Sequence, residues 1–150
     1  MSTDTVNWQG EDALRPMLVP IEDVRPWPGN PRQGDVGAMC LSLERFGQYR
    51  PAVVQASTGQ IAAGNHMWIA ARQLGWTHLA VLAKDMDDTT ARQLLLADNR
   101  VADRGTYDQD ALAGILRDLA ERDELDPATG YDLDDLDDLL AQLDNSDPID

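Results

Sequence analysis

Eighteen consecutive residues, Thr58 to Gly75, commit this chain to packing a helix against a sheet. Ile61-Ala62-Ala63 is an apolar run entered from the turn-forming Ser57-Thr58-Gly59. Met67, Ala70, Ala71 and Leu74 then recur at helical spacing until Gly75 supplies a stop. Between strand and helix sits Gly64-Asn65-His66. A glycine there lets the backbone approach a ligand, and the first N–H groups of the helix lack intrahelical partners and face whatever occupies the turn. A phosphate or another anion suits that place. Asn65 can cap the helix or donate to a phosphate, and His66 can donate, accept or ligate a metal. An ordinary N-cap beside a surface histidine leaves the same pattern, so these residues alone keep both interpretations open.

The rest of the chain supplies partners for that unit. Met17 to Ile21 is a strand candidate that Pro20 confines to an edge or an end. Arg25 to Arg32 holds prolines at 26, 28 and 31, which excludes helix and predicts a rigid loop ending in an arginine. Val36, Met39, Cys40, Leu43 and Phe46 follow helical spacing up to Gly47, and Cys40 on that apolar face is packing rather than nucleophile. Ala52 to Ala56 and Ile61 to Ala63 predict a hairpin, and Leu79 to Ala83 a further buried strand. Asp87-Asp88-Thr89-Thr90 opens a helix over Ala91 to Arg100. The consecutive Asp98-Asn99-Arg100 at its far end can hold Mg²⁺ and a phosphate, or can form a plain polar terminus. Gln109 to Glu121 is one more amphipathic helix. After the break at Asp126 to Gly130, residues 131–143 place Leu133, Leu136, Leu140 and Leu143 on one stripe amid aspartates.

Charge divides the chain. Of 150 residues with net charge −15, residues 1–106 carry 10 basic and 12 acidic side chains, whereas residues 107–150 carry 2 and 15, giving −2 and −13. The expected organisation is a mobile arm over 1–16, an α+β domain over 17–106 and an acidic helical extension over 107–150. All basic residues except Lys84 are arginine, which suits phosphate recognition and which a GC-rich genome would also produce. One cysteine excludes an intramolecular disulfide framework, and no apolar run has the length of a membrane span. A cytoplasmic location without membrane contact is expected.

In their order along the chain these features resemble the ParB/sulfiredoxin superfamily, in particular the small ParB N-terminal-like proteins of phages and bacteria often labelled ParB-like nucleases. The resemblance runs from about Val19 to about Tyr107. Its parts are the Asn30-Pro31-Arg32 loop, the Gly47-Gln48-Tyr49-Arg50-Pro51 segment closing a helix, Gly64-Asn65-His66, and Asp98-Asn99 after a later helix. The resemblance implies a small mixed β-sheet packed by helices that binds CTP, or in other relatives ATP, with Mg²⁺. On that likeness the nucleotide ligands are Arg32, Gly47, Gln48, Arg50, Gly64, Asn65, His66, Asn99 and Arg100. Asp98 and Asn99 meet the metal, and His66 and Asp98 are the candidates for any catalysis.

The chain departs from the family's patterns at the glycine loop. Partition ParB proteins carry Gly-Glu-Arg-Arg where Gly64-Asn65-His66-Met67 stands, so two phosphate-binding arginines are missing. Sulfiredoxins carry Gly-Cys-His-Arg there, which argues against sulfinic-acid reduction. Ala63 replaces the acidic residue of the serine kinases. The basic helix-turn-helix of partition ParB is replaced by the −13 segment, so strong independent DNA binding is not expected. The principal functional expectation is a nucleotide-binding module in phage or bacterial DNA metabolism, with weak NTPase activity an open matter. The alternatives are a DNA nuclease and a non-enzymatic adaptor. The adaptor would dock a DNA-processing protein through residues 131–143, a segment expected to be ordered only when docked, with the 126–130 break as hinge.

Overall fold

The computed structural model describes residues 5–145. Two compact units divide between Arg104 and Gly105. The first is an α+β unit with strands β1 (Leu18–Pro20), β2 (Ala52–Gln55), β3 (Ile61–Ala63) and β4 (His78–Lys84). Its helices are α1 (Val36–Phe46), α2 (Asn65–Gln73) and α3 (Asp88–Arg104). The sheet order is β1-β4-β2-β3, with β2 parallel to β4 and the other neighbours antiparallel. Pro20 ends β1 at the sheet's edge, where its missing N–H costs no ladder bond.

Burial follows the apolar pattern. Ile61, Leu79, Ala70 and Ala71 are fully enclosed. Enclosing a side chain the size of Ile61 or Leu79 contributes about 1.5–3 kcal/mol. Asp35 caps α1 by accepting from the Ala38 N–H at 2.9 Å. Asp87 caps α3 through the Thr90 N–H at 2.7 Å, and that bond lowers the Asp87 pKa below its usual value. At the end of β2 the buried Gln55 donates to Met86 O at 3.1 Å and to Asp88 Oδ1 at 2.9 Å, and accepts from Thr58 Oγ1 at 2.7 Å. The hairpin turn is thereby tied to the start of α3. Partial burial and the Glu44 carboxylate raise the Cys40 pKa, which disfavours the reactive thiolate and agrees with a packing role.

Three expectations need correction. From Asn7 onward the first segment is not a mobile arm. Trp8 and Leu14 are core residues, Asn7 bonds to Gly75 and Thr77, and residues 12–17 form a 3-10 turn. Residues 1–4 lie outside the described part. Asp98 and Asn99 do not end their helix, because α3 continues to Arg104. The acidic leucine stripe is also not waiting for a partner.

That stripe belongs to the second unit, in which α4 (Gln109–Glu121) packs against α5 (Leu133–Asn145). Ala113 and Leu116 of α4 bury Leu136 and Leu139 of α5, with Leu112, Leu125, Tyr131, Leu140 and Leu143 around them. Leu133, expected in the stripe, is 61% exposed, and Leu139 takes its place. Asp132 and Asp135 cap the start of α5 reciprocally, each accepting the other's backbone N–H at 2.8 Å. Among the described residues no helix is long and apolar enough to cross a membrane.

Candidate functional site

A cavity of about 210 Å³ opens in the first unit where five segments meet. Asn30 and Arg32 come from the Pro-rich loop, and Met39, Ser42 and Leu43 from α1. Gly47 to Arg50 lead into β2, Gly64 to Met67 start α2, and Asp98, Asn99 and Ala102 come from α3. Every nominated ligand except Arg100 lines this one space, and Arg100 is exposed outside it. Asn30, Ser42 and Tyr49 were not nominated, although Asn30 and Tyr49 lie inside motifs read from the sequence.

Gly64 sets the geometry. Its φ of +104° turns the chain from β3 into α2, and a Cβ there would stand 3.0 Å from Ala52 Cβ and 3.2 Å from Met67 Cε. The first intrahelical bond is Trp68 N–H to Gly64 O at 3.1 Å. The N–H groups of Asn65, His66 and Met67 therefore precede the helical ladder, where a helix favours an anion. The glycine is needed by the protein's own packing as well as for close approach of a ligand.

Asn65 does not cap the helix. It is buried, its Oδ1 accepts from Trp27 N at 2.6 Å, and its Nδ2 donates to Ile61 O at 3.1 Å. The side chain thus ties the Pro-rich loop to the turn rather than reaching a ligand. His66 Nε2 accepts the Gly34 N–H at 2.9 Å. In this arrangement the Nε2 lone pair is engaged by the backbone of the Pro-rich loop's continuation.

Gln48 is likewise occupied by the fold. It is 0% exposed, and Oε1 accepts from Trp8 Nε1 at 2.8 Å and Ala80 N at 2.9 Å, while Nε2 donates to Ala80 O at 2.8 Å and Arg50 O at 3.0 Å. Ladder pairing of β2 with β4 begins at Ala52 and Val81. The Gln48 amide therefore serves Ala80, one residue earlier, as a strand neighbour would. A glutamine in a glycine-led loop carries no sequence mark of this role.

The charged groups are held at the edge. Arg32 pairs with Asp103 on the last turn of α3, and the two side chains are 38% and 52% exposed. Asn30 Oδ1 accepts both the Arg32 N–H at 3.2 Å and Asn99 Nδ2 at 3.3 Å, which links the same loop to α3. The Arg50 guanidinium lies 5.9 Å from the centre of the Tyr49 ring. Asp98 supplies the cavity's carboxylate. Among the described residues no group of three His, Cys, Asp or Glu side chains is placed to hold a metal.

Comparison with known proteins bears on this arrangement. Two nucleoid occlusion proteins are similar in sequence. That of Oceanobacillus iheyensis is 22% identical over 121 residues, covering 75% of this chain and 41% of the relative. That of Geobacillus thermodenitrificans is 26% identical over 102 residues, covering 63% and 36%. The chain thus spans about two fifths of the length of these curated relatives. Among solved structures, the C-terminally truncated chromosome-partitioning protein ParB from Caulobacter crescentus, complexed with CTP-γ-S, shares the fold. The TM-score is 0.68 at 20% identity, over 85% of this chain and 77% of that one. The expectation of weak DNA binding drawn from the acidic extension receives no support from these comparisons. The family model described as the ParB N-terminal domain matches residues 8–100, and the chain belongs to that family.

Proposed function

We propose that the cavity binds a nucleoside triphosphate, CTP or ATP, together with Mg²⁺, and that the protein acts through this binding in phage or bacterial DNA metabolism. The observation that carries this reading is the convergence on one cavity of the Gly64 helix start, the Gly47–Arg50 loop and the Asp98-Asn99 pair. The complex of the C. crescentus relative with CTP-γ-S supports it. Backbone N–H groups of the first turn of α2 take one phosphate, and Arg32 and Arg50 take the negative charge at the cavity edge.

The residues fit a Mg²⁺ that arrives with the nucleotide. Asp98 offers one carboxylate, and the Asn99 carbonyl oxygen is left over by the bond its Nδ2 makes to Asn30. Mg²⁺ is held by one or two protein oxygens plus phosphate oxygens, and its contribution there is to neutralise phosphate charge.

Isothermal titration of the protein with CTP and ATP, each with and without Mg²⁺, tests the proposal. Saturable one-site binding that Mg²⁺ tightens is the expected result. Heat of dilution alone for every triphosphate at millimolar concentration would overturn it.

A further inference from the structure

Behind the Gly47–Arg50 wall of the cavity lies the N-terminal segment, and the two are joined through one amide. Trp8 is 40 residues from Gln48 in sequence, yet its indole N–H donates to Gln48 Oε1 inside the core. The backbone continues the attachment: Gln48 N donates to Gln9 O at 2.8 Å, and Glu11 N donates to Gln48 O at 3.0 Å. From the same amide, Nε2 holds Arg50 O, so Trp8 is two hydrogen bonds away from the backbone of a residue that lines the cavity.

An indole N–H only donates and a carbonyl only accepts, so Trp8 and Arg50 both require the amide orientation that Ala80 also selects. With the Trp8 donor removed, a buried oxygen loses one of its two partners, and the amide is held only by Ala80 and Arg50. The wall between Gly47 and Pro51 then keeps only the backbone bonds of Gln48 to Gln9 and Glu11 as its tie to the first segment. Those backbone bonds hold the main chain of Gln48 but not its side-chain amide, and the β2 ladder starts only at Ala52.

We infer that Trp8 is a positioning residue for ligand binding: through Gln48 it fixes the cavity wall formed by residues 47–50, and the segment from Asn7 to Met17 is a brace for the site. This rests on the nucleotide reading for its binding consequence, whereas the mechanical link stands on the hydrogen bonds alone. Trp68 provides an internal control. Its Nε1 donates too, in this case to a backbone carbonyl, Ile21 O at 3.0 Å, and Trp68 is outside the cavity lining.

The test compares Trp8→Phe with Trp68→Phe in the full chain, by CTP titration with Mg²⁺, thermal melting, and hydrogen exchange read by mass spectrometry. The expected result for Trp8→Phe is a CTP Kd weakened about fivefold, the effect of one ordinary hydrogen bond, with faster exchange concentrated in residues 47–52. Trp68→Phe should lower the melting temperature comparably and leave both the Kd and that exchange unchanged. Replacing Trp8 with 3-benzothienylalanine, which keeps the ring shape and lacks the N–H, is the second variant and should reproduce Trp8→Phe. Equal Kd losses in Trp8→Phe and Trp68→Phe, or unchanged exchange at 47–52 in both Trp8 variants, would overturn the inference. If the wild-type chain binds neither CTP nor ATP, the nucleotide reading fails by itself, and the exchange comparison alone decides whether the brace exists.

Discussion

His66 and Gly34, 32 residues apart in sequence, are joined by a 2.9 Å hydrogen bond from the glycine N–H to the imidazole Nε2. The fit is close: a Cβ on Gly34 would fall 2.6 Å from the ring's Cγ and 2.8 Å from Nδ1. Gly34→Ala should therefore push the imidazole away and release the Pro-rich loop from α2. The expected cost is about 1–2 kcal/mol in urea unfolding, together with weaker CTP binding. Unchanged stability and affinity would show that the loop does not depend on this contact.

Arg32 faces a choice of anions. Its partner Asp103 is a half-exposed carboxylate, and exposed ion pairs contribute only about 0–1 kcal/mol. A triphosphate would offer Arg32 more charge than Asp103 does. Asp103→Asn should thus tighten CTP binding while altering stability by less than about 1 kcal/mol. Titration calorimetry checks the direction, and weaker binding would mean that Asp103 orients Arg32 toward the ligand instead of competing for it.

Asp98 and Asn99 predict a metal-specific defect. In Asp98→Asn the nucleotide affinity without Mg²⁺ should be unchanged or higher, because a negative charge has left the cavity. The tightening produced by Mg²⁺ should be lost. Comparing the wild type and Asp98→Asn across a Mg²⁺ series measures this, and an unchanged Mg²⁺ response would move the metal to other ligands.

Gly64→Val is expected to damage the fold before it damages the ligand site. Its side chain would meet Ala52 and Met67 at a backbone φ of +104°, so strain and overpacking together should cost on the order of 3 kcal/mol. Circular dichroism melting will show this. A variant that melts like the wild type yet loses CTP would restore the simpler idea that the glycine only makes room for phosphate.

The two units predict different fates for two truncations. Cutting after Leu125 removes α5 and exposes Ala113 and Leu116, half of a shared core. Cutting after Arg104 leaves the first unit with its own core intact. Residues 1–104 should remain monodisperse and keep nucleotide binding, whereas residues 1–125 should aggregate in light scattering. Loss of binding in the 1–104 fragment would show that the second unit completes the site.

The sequence disclosed periodic elements well and side-chain allegiance poorly. The spacing of Val36 to Phe46 and of Gln109 to Glu121 matched α1 and α4 to the residue, because apolar period and cap residues agree at those ends. The joint cavity of Gly64, His66, Asp98 and Asn99 was also legible, through motifs taken in order. Roles were not. The side-chain amides of Gln48 and Asn65 are engaged by groups distant in sequence, Trp8 and Ala80 for Gln48 and Trp27 for Asn65, which no local pattern encodes. Trp8 was assigned to a loose arm because its acceptor lies 40 residues away. The leucines of α5 showed their period but not their partner, since a stripe specifies that burial occurs and not against what.

One buried glutamine precedes β2 and another ends it, and the strand separates what they do. Gln48, before it, serves the cavity wall; Gln55, at its end, locks the hairpin turn to the start of α3. Opposite ends of β2 thereby serve the cavity wall and the hairpin turn. Substitutions around Gln55 can retune durability while the ligand chamber keeps its shape, and those around Gln48 alter the chamber first.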